Sequence, residues 1–353
     1  MKFHPLTVSS VRPTAADAAV ITLEVPEALR ESFAFKAGQY VSVRRTLEGK
    51  EESRTYSIAS PPGANVLKLG VRGQGRMSHD LNRLLKRGDV LEVSKPLGRF
   101  CTPRDAARQR SYVAFAAGSG ITPILSIATD ILTHEPRSRF TLVYGNRSMS
   151  HSMLVDEILA LKDRNLERFA VHFVMSRERQ DAELFNGRID AAKLESLARQ
   201  IEDVRLADEY LICGPGAMVD ELSQALKALN AGAVVRVERF VTGTTPLARI
   251  ETKEKPAQPV LAHIGVTSDG RRRSFDMTES DGSMLEAAER AGLSLPYSCR
   301  AGICATCRVK ITAGKAHMMH NIALEPWEIE AGFILCCQAR PDTDTIELSY
   351  DEK

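Results

Sequence analysis

Five of the seven cysteines in this chain lie between positions 299 and 337, and four of them follow a spacing that few folds can use. The loop reads Cys299-Arg-Ala-Gly-Ile-Cys304-Ala-Thr-Cys307, and 29 residues separate Cys307 from Cys337. Thiolates in a C-x4-C-x2-C run with a distant fourth cysteine can hold two irons bridged by two sulfides. Such a [2Fe–2S] cluster with its thiolates carries two negative charges, and three after one electron is added. That charge needs N–H donors. The small residues Ala301, Gly302, Ala305 and Thr306 let a tight loop turn its amides toward the sulfurs. Structural zinc is one competing use, but zinc sites usually take two C-x2-C pairs and only one is present. Unrelated buried thiols are the other. Cys336 or Cys337 could be the fourth ligand. The place of Cys337 in Phe333-Ile-Leu-Cys-Cys-Gln-Ala-Arg-Pro341 favours it, and leaves Cys336 as a packed neighbour or a nearby free thiol.

The chain around this loop is ordinary in bulk. At 353 residues it predicts two or three domains. With 43% hydrophobic and 26% charged residues it can bury more than one core, which excludes a disordered chain or a disulfide-held mini-protein. The 47 basic and 45 acidic residues leave a net charge of +2, too balanced for a protein whose main task is gripping nucleic acid. The balance hides an asymmetry, because residues 259–353 carry 10 Lys/Arg against 14 Asp/Glu. Met1 to Pro13 lacks the apolar core of a signal peptide, and an odd number of clustered cysteines argues against disulfides. A cytoplasmic location follows as the expectation. Ser111 to Thr129 is uncharged and long enough to test as a membrane span, but Gly118-Ser-Gly-Ile-Thr-Pro123 in its middle predicts a strand, a turn and a helix instead.

Three regions differ in rhythm. Residues 1–106 read as short strands (Ala19–Val25, Gln39–Arg44, Arg54–Ala59, Val66–Val71, Val90–Val93) with one helix from Ser78 to Lys86, capped by Ser78. This pattern predicts a small antiparallel barrel. Residues 107–240 alternate apolar runs (Tyr112–Ala117, Phe140–Tyr144, Ala170–Met175, Tyr210–Cys213, Val234–Glu238) with helical stretches near 121–133, 151–163, 190–200 and 216–229. Alternation of that kind predicts an α/β unit with a parallel, Rossmann-like sheet. Residues 241–258 have little apolar content and read as a linker of intermediate stiffness. Residues 259–353 predict a third, α+β unit: strands at Val260–Val266 and Arg272–Met277, a helix at Ser283–Arg290, the cysteine loop, and strands near 308–312 and 345–349.

Two further sets of residues carry chemistry. Arg54-Thr55-Tyr56-Ser57 sits on a strand, where alternation puts Arg54 and Tyr56 on one face and Thr55 and Ser57 on the other. A flavin needs an aromatic face, a cation for phosphate and a donor near its reactive nitrogen, and these residue types occur together here. An ordinary barrel strand with an exposed arginine is the plain alternative. Val71-Arg72-Gly-Gln-Gly75-Arg76-Met77-Ser78 leads into a helix, and glycine-rich turns at helix starts present N–H groups to anions. Gly118-Ser119-Gly120-Ile-Thr122-Pro and Cys213-Gly214-Pro215-Gly-Ala-Met218 both follow predicted strands, at the sheet edge where open α/β folds bind ligands. Neither is the full G-x-G-x-x-G dinucleotide fingerprint, and Cys213 alone would pass for a small buried hydrophobe. Phe240 could cover a flavin or nicotinamide ring, or simply pack.

These motifs in this order resemble a known architecture. Residues 1–240 resemble the ferredoxin–NADP reductase superfamily, and residues 259–353 resemble a plant-type [2Fe–2S] ferredoxin of β-grasp fold. The order looks like the reductase component of a bacterial multicomponent oxygenase. Gly187-Arg-Ile-Asp, Ile212-Cys-Gly-Pro, Val237-Glu-Arg-Phe240 and Gly332-Phe-Ile-Leu-Cys-Cys-Gln-Ala resemble the phenylacetyl-CoA epoxidase reductase family within that group. The resemblance implies Arg54 on the flavin phosphates, Tyr56 on the ring, Ser57 near the reactive nitrogen, and the Val71–Ser78 segment with Arg72 around the phosphates. The wording of that segment resembles the FAD rather than the FMN branch. Thr122 and Cys213 are implied near the nicotinamide. Ser176-Arg177 resembles a grip on a 2′-phosphate, which Arg147 could reinforce, so NADPH is expected over NADH. Electrons would pass from NADPH through FAD and the cluster to an oxygenase, with the ferredoxin domain swinging on its linker. A ring-hydroxylating dioxygenase, an acyl desaturase or a hybrid-cluster protein are alternative acceptors, and a cluster-based redox sensor is an alternative from another class.

Overall fold

The computed structural model describes residues 2–240, 259–268, 270–293, 295–297 and 299–352. The stretch expected to be a linker, 241–258, lies outside the described residues. The chain divides into two compact units, one on each side of that stretch.

The first unit begins with six strands: β1 (Phe3–Ala15), β2 (Ala18–Glu24), β3 (Tyr40–Leu47), β4 (Lys50–Ser57), β5 (Val66–Arg72) and β6 (Val90–Ser94). They form one antiparallel sheet in the order β4-β3-β6-β1-β2-β5. Its two edges meet just past β4, where Ile58 bridges Leu69 and the Ala59 N–H donates to the Lys68 carbonyl at 2.8 Å. The sheet therefore curls into a barrel around Leu6, Val8, Ile21, Val41, Val43, Leu69 and Leu91. Between β5 and β6 lies α1 (Arg76–Arg83), held to the barrel by buried Met77 and Leu81. Here the structure corrects the expected helix start. Gly75 is the N-cap, and Ser78 lies one turn in, where its Oγ accepts the N–H groups of Gln74 and Gly75 at 2.9 Å each.

The same unit continues into a second sheet. Its strands are β7 (Ser111–Ala117), β8 (Arg139–Asn146), β9 (Phe169–Met175), β10 (Glu209–Pro215) and β11 (Val234–Phe240), all parallel, in the order β11-β10-β7-β8-β9. Between them run α2 (Ile121–His134), α3 (Val155–Asp163), α4 (Ala191–Gln200), α5 (Glu202–Leu206) and α6 (Gly216–Leu229). The strands are apolar throughout because both faces are covered. Tyr112, Ala114, Ala116 and Leu211 pack toward α2 and α3, whereas Val113, Phe115, Tyr210 and Ile212 pack toward α4, α5 and α6.

Helix α2 explains the uncharged stretch. Eleven of its 14 residues are buried, because one side meets the parallel sheet and the other meets the barrel residues Ala18, Val20, Ala37, Ala59 and Phe100. A helix that is apolar all round belongs in a core or a membrane, and here the barrel supplies the second wall. Ser126 Oγ donates to the Ser60 carbonyl at 2.8 Å across that junction. Among the described residues no helix is long and apolar enough to cross a membrane.

The second unit has a mixed five-stranded sheet, built from β12 (Val260–Ser268), β13 (Arg271–Thr278), β14 (Arg308–Ala313), β16 (Phe333–Leu335) and β18 (Thr345–Ser349) in the order β13-β12-β18-β14-β16. A short pair, β15 (Ala316–Met318) and β17 (Ala339–Pro341), stands beside it. The sheet grips α7 (Met284–Arg290) through Met284, Leu285, Ala287 and Ala288, and α8 (Pro326–Glu330) precedes β16. Ser283 caps α7 by accepting the Glu286 N–H at 3.3 Å.

Candidate functional site

The cysteine loop is shaped by three residues in left-handed conformation: Arg300 (φ 54°), Gly302 (φ 72°) and Ala305 (φ 53°). Two of them are not glycine, which is an uncommon arrangement and is usually held in place by its surroundings. A Cβ on Gly302 would lie 2.9 Å from the His320 carbonyl oxygen, and the Gly302 carbonyl accepts the N–H groups of Ile322 and Ala323 at 3.1 Å each. The result is a cradle of amides. The N–H groups of Ala301, Ile303 and Cys304 all point at Cys299 Sγ, at 3.4 Å each. A hydrogen bond with Cys304 and these three amides hold the Cys299 thiol down at about 5, although burial opposes them.

The four cysteines come together as two pairs. Cys299 hydrogen-bonds Cys304, and Cys307 hydrogen-bonds Cys337; in each pair one thiol is held low and the other is pushed up. Cys336 turns into the core, fully buried, where its Sγ accepts the Tyr350 hydroxyl at 3.4 Å. Among the described residues no three His, Cys, Asp or Glu side chains converge as a single metal ion would require. Two thiol pairs are instead what a two-iron cluster takes, with two cysteines on each iron, so the donor set fits [2Fe–2S] chemistry. Cys299, Cys304, Cys307 and Cys337 are the residues that would hold it.

In the first unit, Arg54, Thr55, Tyr56 and Ser57 end β4. Arg54 is exposed, Thr55 is half-buried and Ser57 is buried. Tyr56 is half-buried against the barrel core, and burial pushes its hydroxyl well above the usual phenol range. The helix that begins at Gly75 has no side-chain cap, so its first-turn amides are not covered from within. Arg76 reaches β4 and pairs with Glu52 and with Glu48 at 2.9 Å; Arg54 also leans on Glu52, at 3.4 Å. Arg54 and Arg76 thus flank one carboxylate, Glu52, beside an open helix start. Val71 is buried in the barrel. Arg72 crosses to the parallel-sheet region: its guanidinium donates to the His151 carbonyl, stands 3.7 Å from Asp17, and lies against Gly118. Cations, an aromatic and an open helix start therefore gather on neighbouring strands, as an anionic flavin requires.

The two glycine motifs meet at the centre of the parallel sheet. Strands β7 and β10 are neighbours, and the chain leaves them in opposite directions across the sheet, the position where such folds take ligands. A Cβ on Gly120 would lie 2.1 Å from the Cys213 carbonyl oxygen, and one on Gly214 would lie 2.6 Å from Met218 Cε. Gly118 takes φ 56°, and its carbonyl accepts the Tyr144 hydroxyl at 2.9 Å. Thr122 is buried; its Oγ1 donates to the Ser119 carbonyl at 2.9 Å, and its methyl lies against Gly70 of the barrel. Cys213 is fully buried, with its thiol pushed well up by burial. Pro215 pairs with Phe240 at the ends of β10 and β11, and Phe240 packs partly buried against the core around Cys213.

One residue that the sequence reading did not single out stands in this crevice. Glu238 pairs in register with Cys213, and its Oε2 is buried with no hydrogen-bond partner among the described residues. Burial raises its carboxyl to about 8. The signal lay in Val237-Glu-Arg-Phe240, but a carboxylate at that point gains meaning only once β10 and β11 are paired. Farther along the same edge, Arg147 and Arg177 are both exposed, and the Arg177 N–H donates to the Arg147 carbonyl at 2.8 Å. Ser176 bonds the Asn146 carbonyl through its N–H at 2.9 Å and its Oγ at 3.2 Å. The structure thus brings these two arginines side by side.

Comparison with known proteins agrees with this layout. Three family models match in order: an oxidoreductase FAD-binding domain over residues 5–101, an oxidoreductase NAD-binding domain over 115–224, and a 2Fe-2S iron-sulfur cluster binding domain over 266–342. The solved phthalate dioxygenase reductase, described as a modular structure for electron transfer from pyridine nucleotides to [2Fe–2S], shares the fold. Its TM-score is 0.60 at 24% identity, over 98% of both chains. Fold and site define an oxidoreductase that joins flavin, nicotinamide nucleotide and a [2Fe–2S] cluster in one chain. The chain is 41% identical over 356 residues to one of the subunits of 1,2-phenylacetyl-CoA epoxidase from Escherichia coli (strain K12), covering 99% of this chain and 98% of that one. It is 32% identical to the ferredoxin reductase component of 3-ketosteroid-9-alpha-monooxygenase from Rhodococcus rhodochrous, over 98% and 96%. It belongs to the ferredoxin–NADP reductase-like family of oxygenase reductases that contains this epoxidase component.

Proposed function

We propose that this protein is the reductase component of an oxygenase of the phenylacetyl-CoA epoxidase kind, working in the cytoplasm with NADPH as donor. The observation that carries the reading is the end-to-end likeness to the epoxidase component, over 99% of this chain and 98% of that one. The bound groups supply the chemistry of converting a two-electron donor into single-electron delivery.

The chain's own residues bind and orient. Arg54, Arg72 and Arg76 hold the flavin phosphates with the Gly75–Ser78 helix start, which exchanges their carboxylate partners for phosphate. Tyr56 packs on the ring, with Thr55 and Ser57 beside it. Gly118, Ser119, Gly120 and Gly214 let the nucleotide approach the main chain, with Pro215 and Met218 behind it, while Thr122, Cys213 and Phe240 exclude water. Arg147, Ser176 and Arg177 take the 2′-phosphate, since two exposed guanidinium groups on adjacent loops suit a dianion. The residues around Cys299 hold the cluster's charge with N–H groups.

The test is the visible spectrum of freshly purified protein, before and after anaerobic NADPH and then NADH. Overlapping flavin and iron–sulfur bands that bleach faster with NADPH support the reading. A flavin spectrum without an iron–sulfur shoulder, in protein that contains zinc, overturns it. The likeness to the ketosteroid monooxygenase reductase favours a second reading, in which the acceptor is another kind of oxygenase; assays with purified oxygenase components separate the two.

A further inference from the structure

The two thiol pairs are supported differently. Cys299 Sγ is held by three main-chain N–H groups, which no side-chain substitution except to proline removes. Cys337 Sγ takes the main-chain N–H of Gly302 and, in addition, is faced by the side-chain amide of Gln338, whose Nε2 lies 3.9 Å away. The same Nε2 donates to the Arg300 carbonyl at 2.8 Å, at the start of the cysteine loop. Gln338 is buried, and its Cγ lies where a Cβ on Gly302 would come within 3.0 Å. An NH2 group has two protons. One is committed to the Arg300 carbonyl, and the amide plane then directs the other toward the sulfur. The Gln338 N–H is itself anchored to the Leu335 carbonyl at 2.8 Å, so the residue is fixed at both ends.

We propose that Gln338 is a positioning residue for the cluster: it locks the cysteine loop to the strand that follows Cys337 and lends that thiolate a side-chain N–H, which raises the cluster's reduction potential. Donors to cluster sulfurs favour the reduced state, which carries the extra negative charge. The inference rests on reading the four cysteines as the ligands of a [2Fe–2S] cluster.

The experiment compares the full-length holoprotein with Gln338→Leu and Gln338→Glu. Iron and sulfide content, the electron paramagnetic resonance of the reduced cluster, and its midpoint potential are measured on each. At a fixed solution potential near the wild-type midpoint, Gln338→Leu is expected to hold about tenfold less reduced relative to oxidised cluster, about 59 mV lower for a one-electron couple. Gln338→Glu, which puts a carboxylate beside the sulfur, falls at least as far. Flavin content and NADPH-driven ferricyanide reduction stay unchanged. Intact clusters with unmoved potentials in both variants overturn the proposal. Because either variant could lose its cluster, the wild-type protein labelled with 15N in glutamine side chains supplies a second readout. Pulsed resonance should show an exchangeable amide coupled to the reduced cluster, and its absence also overturns the proposal. Wild-type protein without any [2Fe–2S] signal overturns the ligand reading itself.

Discussion

The two units assemble their positive groups by different means. In the second unit a loop of nine residues turns three main-chain N–H groups onto one sulfur, and the left-handed conformations of Arg300, Gly302 and Ala305 create that turn. In the first unit the positive groups are side chains from separate elements. Arg54 comes from β4, Arg72 from β5, Arg76 from α1, Arg147 from the loop after β8 and Arg177 from the loop after β9. Several lean on local oxygens: Arg54 and Arg76 on Glu52, Arg72 on Asp17 and the His151 carbonyl. A main-chain cradle is written locally and survives most substitutions within it. A side-chain grip is written across more than a hundred residues and can be dismantled one arginine at a time.

The largest expected effect breaks the cradle at a ligand. Cys337→Ala should lose the cluster's iron and slow electron delivery to one-electron protein acceptors by about 100-fold or more, because the cluster's charge has lost a covalent anchor. Ferricyanide reduction by NADPH, which needs only the first unit, should stay within about twofold. Cys336→Ala should keep its iron, since Cys336 faces Tyr350 and the core. Iron analysis and the two assays check this, and the reverse pattern would reassign the fourth ligand.

Next in size is the arginine that joins both sheets of the first unit. Arg72→Ala removes a mostly buried guanidinium that touches Asp17, His151 and Gly118. Flavin retention should weaken by about 30-fold, roughly 2 kcal/mol, the range for a charge-assisted hydrogen bond. Equilibrium dialysis of released flavin measures it. A loss no larger than that of Arg54→Ala would mean that bridging the two sheets adds nothing.

A smaller effect separates the two nicotinamide donors. Arg177→Ala should weaken NADPH about tenfold relative to NADH, about 1.4 kcal/mol, because one charged contact to a 2′-phosphate is lost. Kinetics with each donor check it. An equal loss for both would place the arginine elsewhere on the nucleotide.

The comparison also explains what could be read in advance. The cysteine loop was legible because its chemistry is carried by spacing alone, and the stretch Ser111–Thr129 was legible because Gly118, Gly120 and Pro123 interrupt it. Strand β1 was missed: Pro5, Ser9, Ser10 and Pro13 obscure its alternation, although Leu6 and Val8 are buried in the barrel. The start of α1 was misplaced because Ser78 looks like a cap, whereas Gly75 adopts the extended conformation and Ser78 bonds back to it. Arg147 and Arg177 could be nominated but not joined, since a parallel pairing of β8 with β9 brings them together. Glu238 was passed over for the same reason: its neighbour Cys213 lies 25 positions away in sequence and directly across the β10–β11 ladder.

Glu238 gives the most specific test, of the crevice beside Cys213. Its carboxyl is raised to about 8 by burial, against an ordinary value of 4.5. Between those values the folded chain holds a proton that the unfolded chain has released, so stability must fall as pH rises through that window and level off above it. Some of the residue still meets solvent although Oε2 is enclosed, which limits the loss to about 1–3 kcal/mol. Glu238→Gln keeps the shape and removes the titration. The wild-type first unit should therefore lose more thermal stability between about pH 5 and pH 8 than the variant does, in full-length protein with cofactors bound. If both lose the same amount, the carboxyl is already ionised at the lower pH, and the crevice beside Cys213 is wetter than its enclosed oxygen implies. If the variant alone is flat, the crevice can keep a proton next to Cys213 at neutral pH, held by burial and not by any arginine, unlike the charge sites elsewhere in the unit.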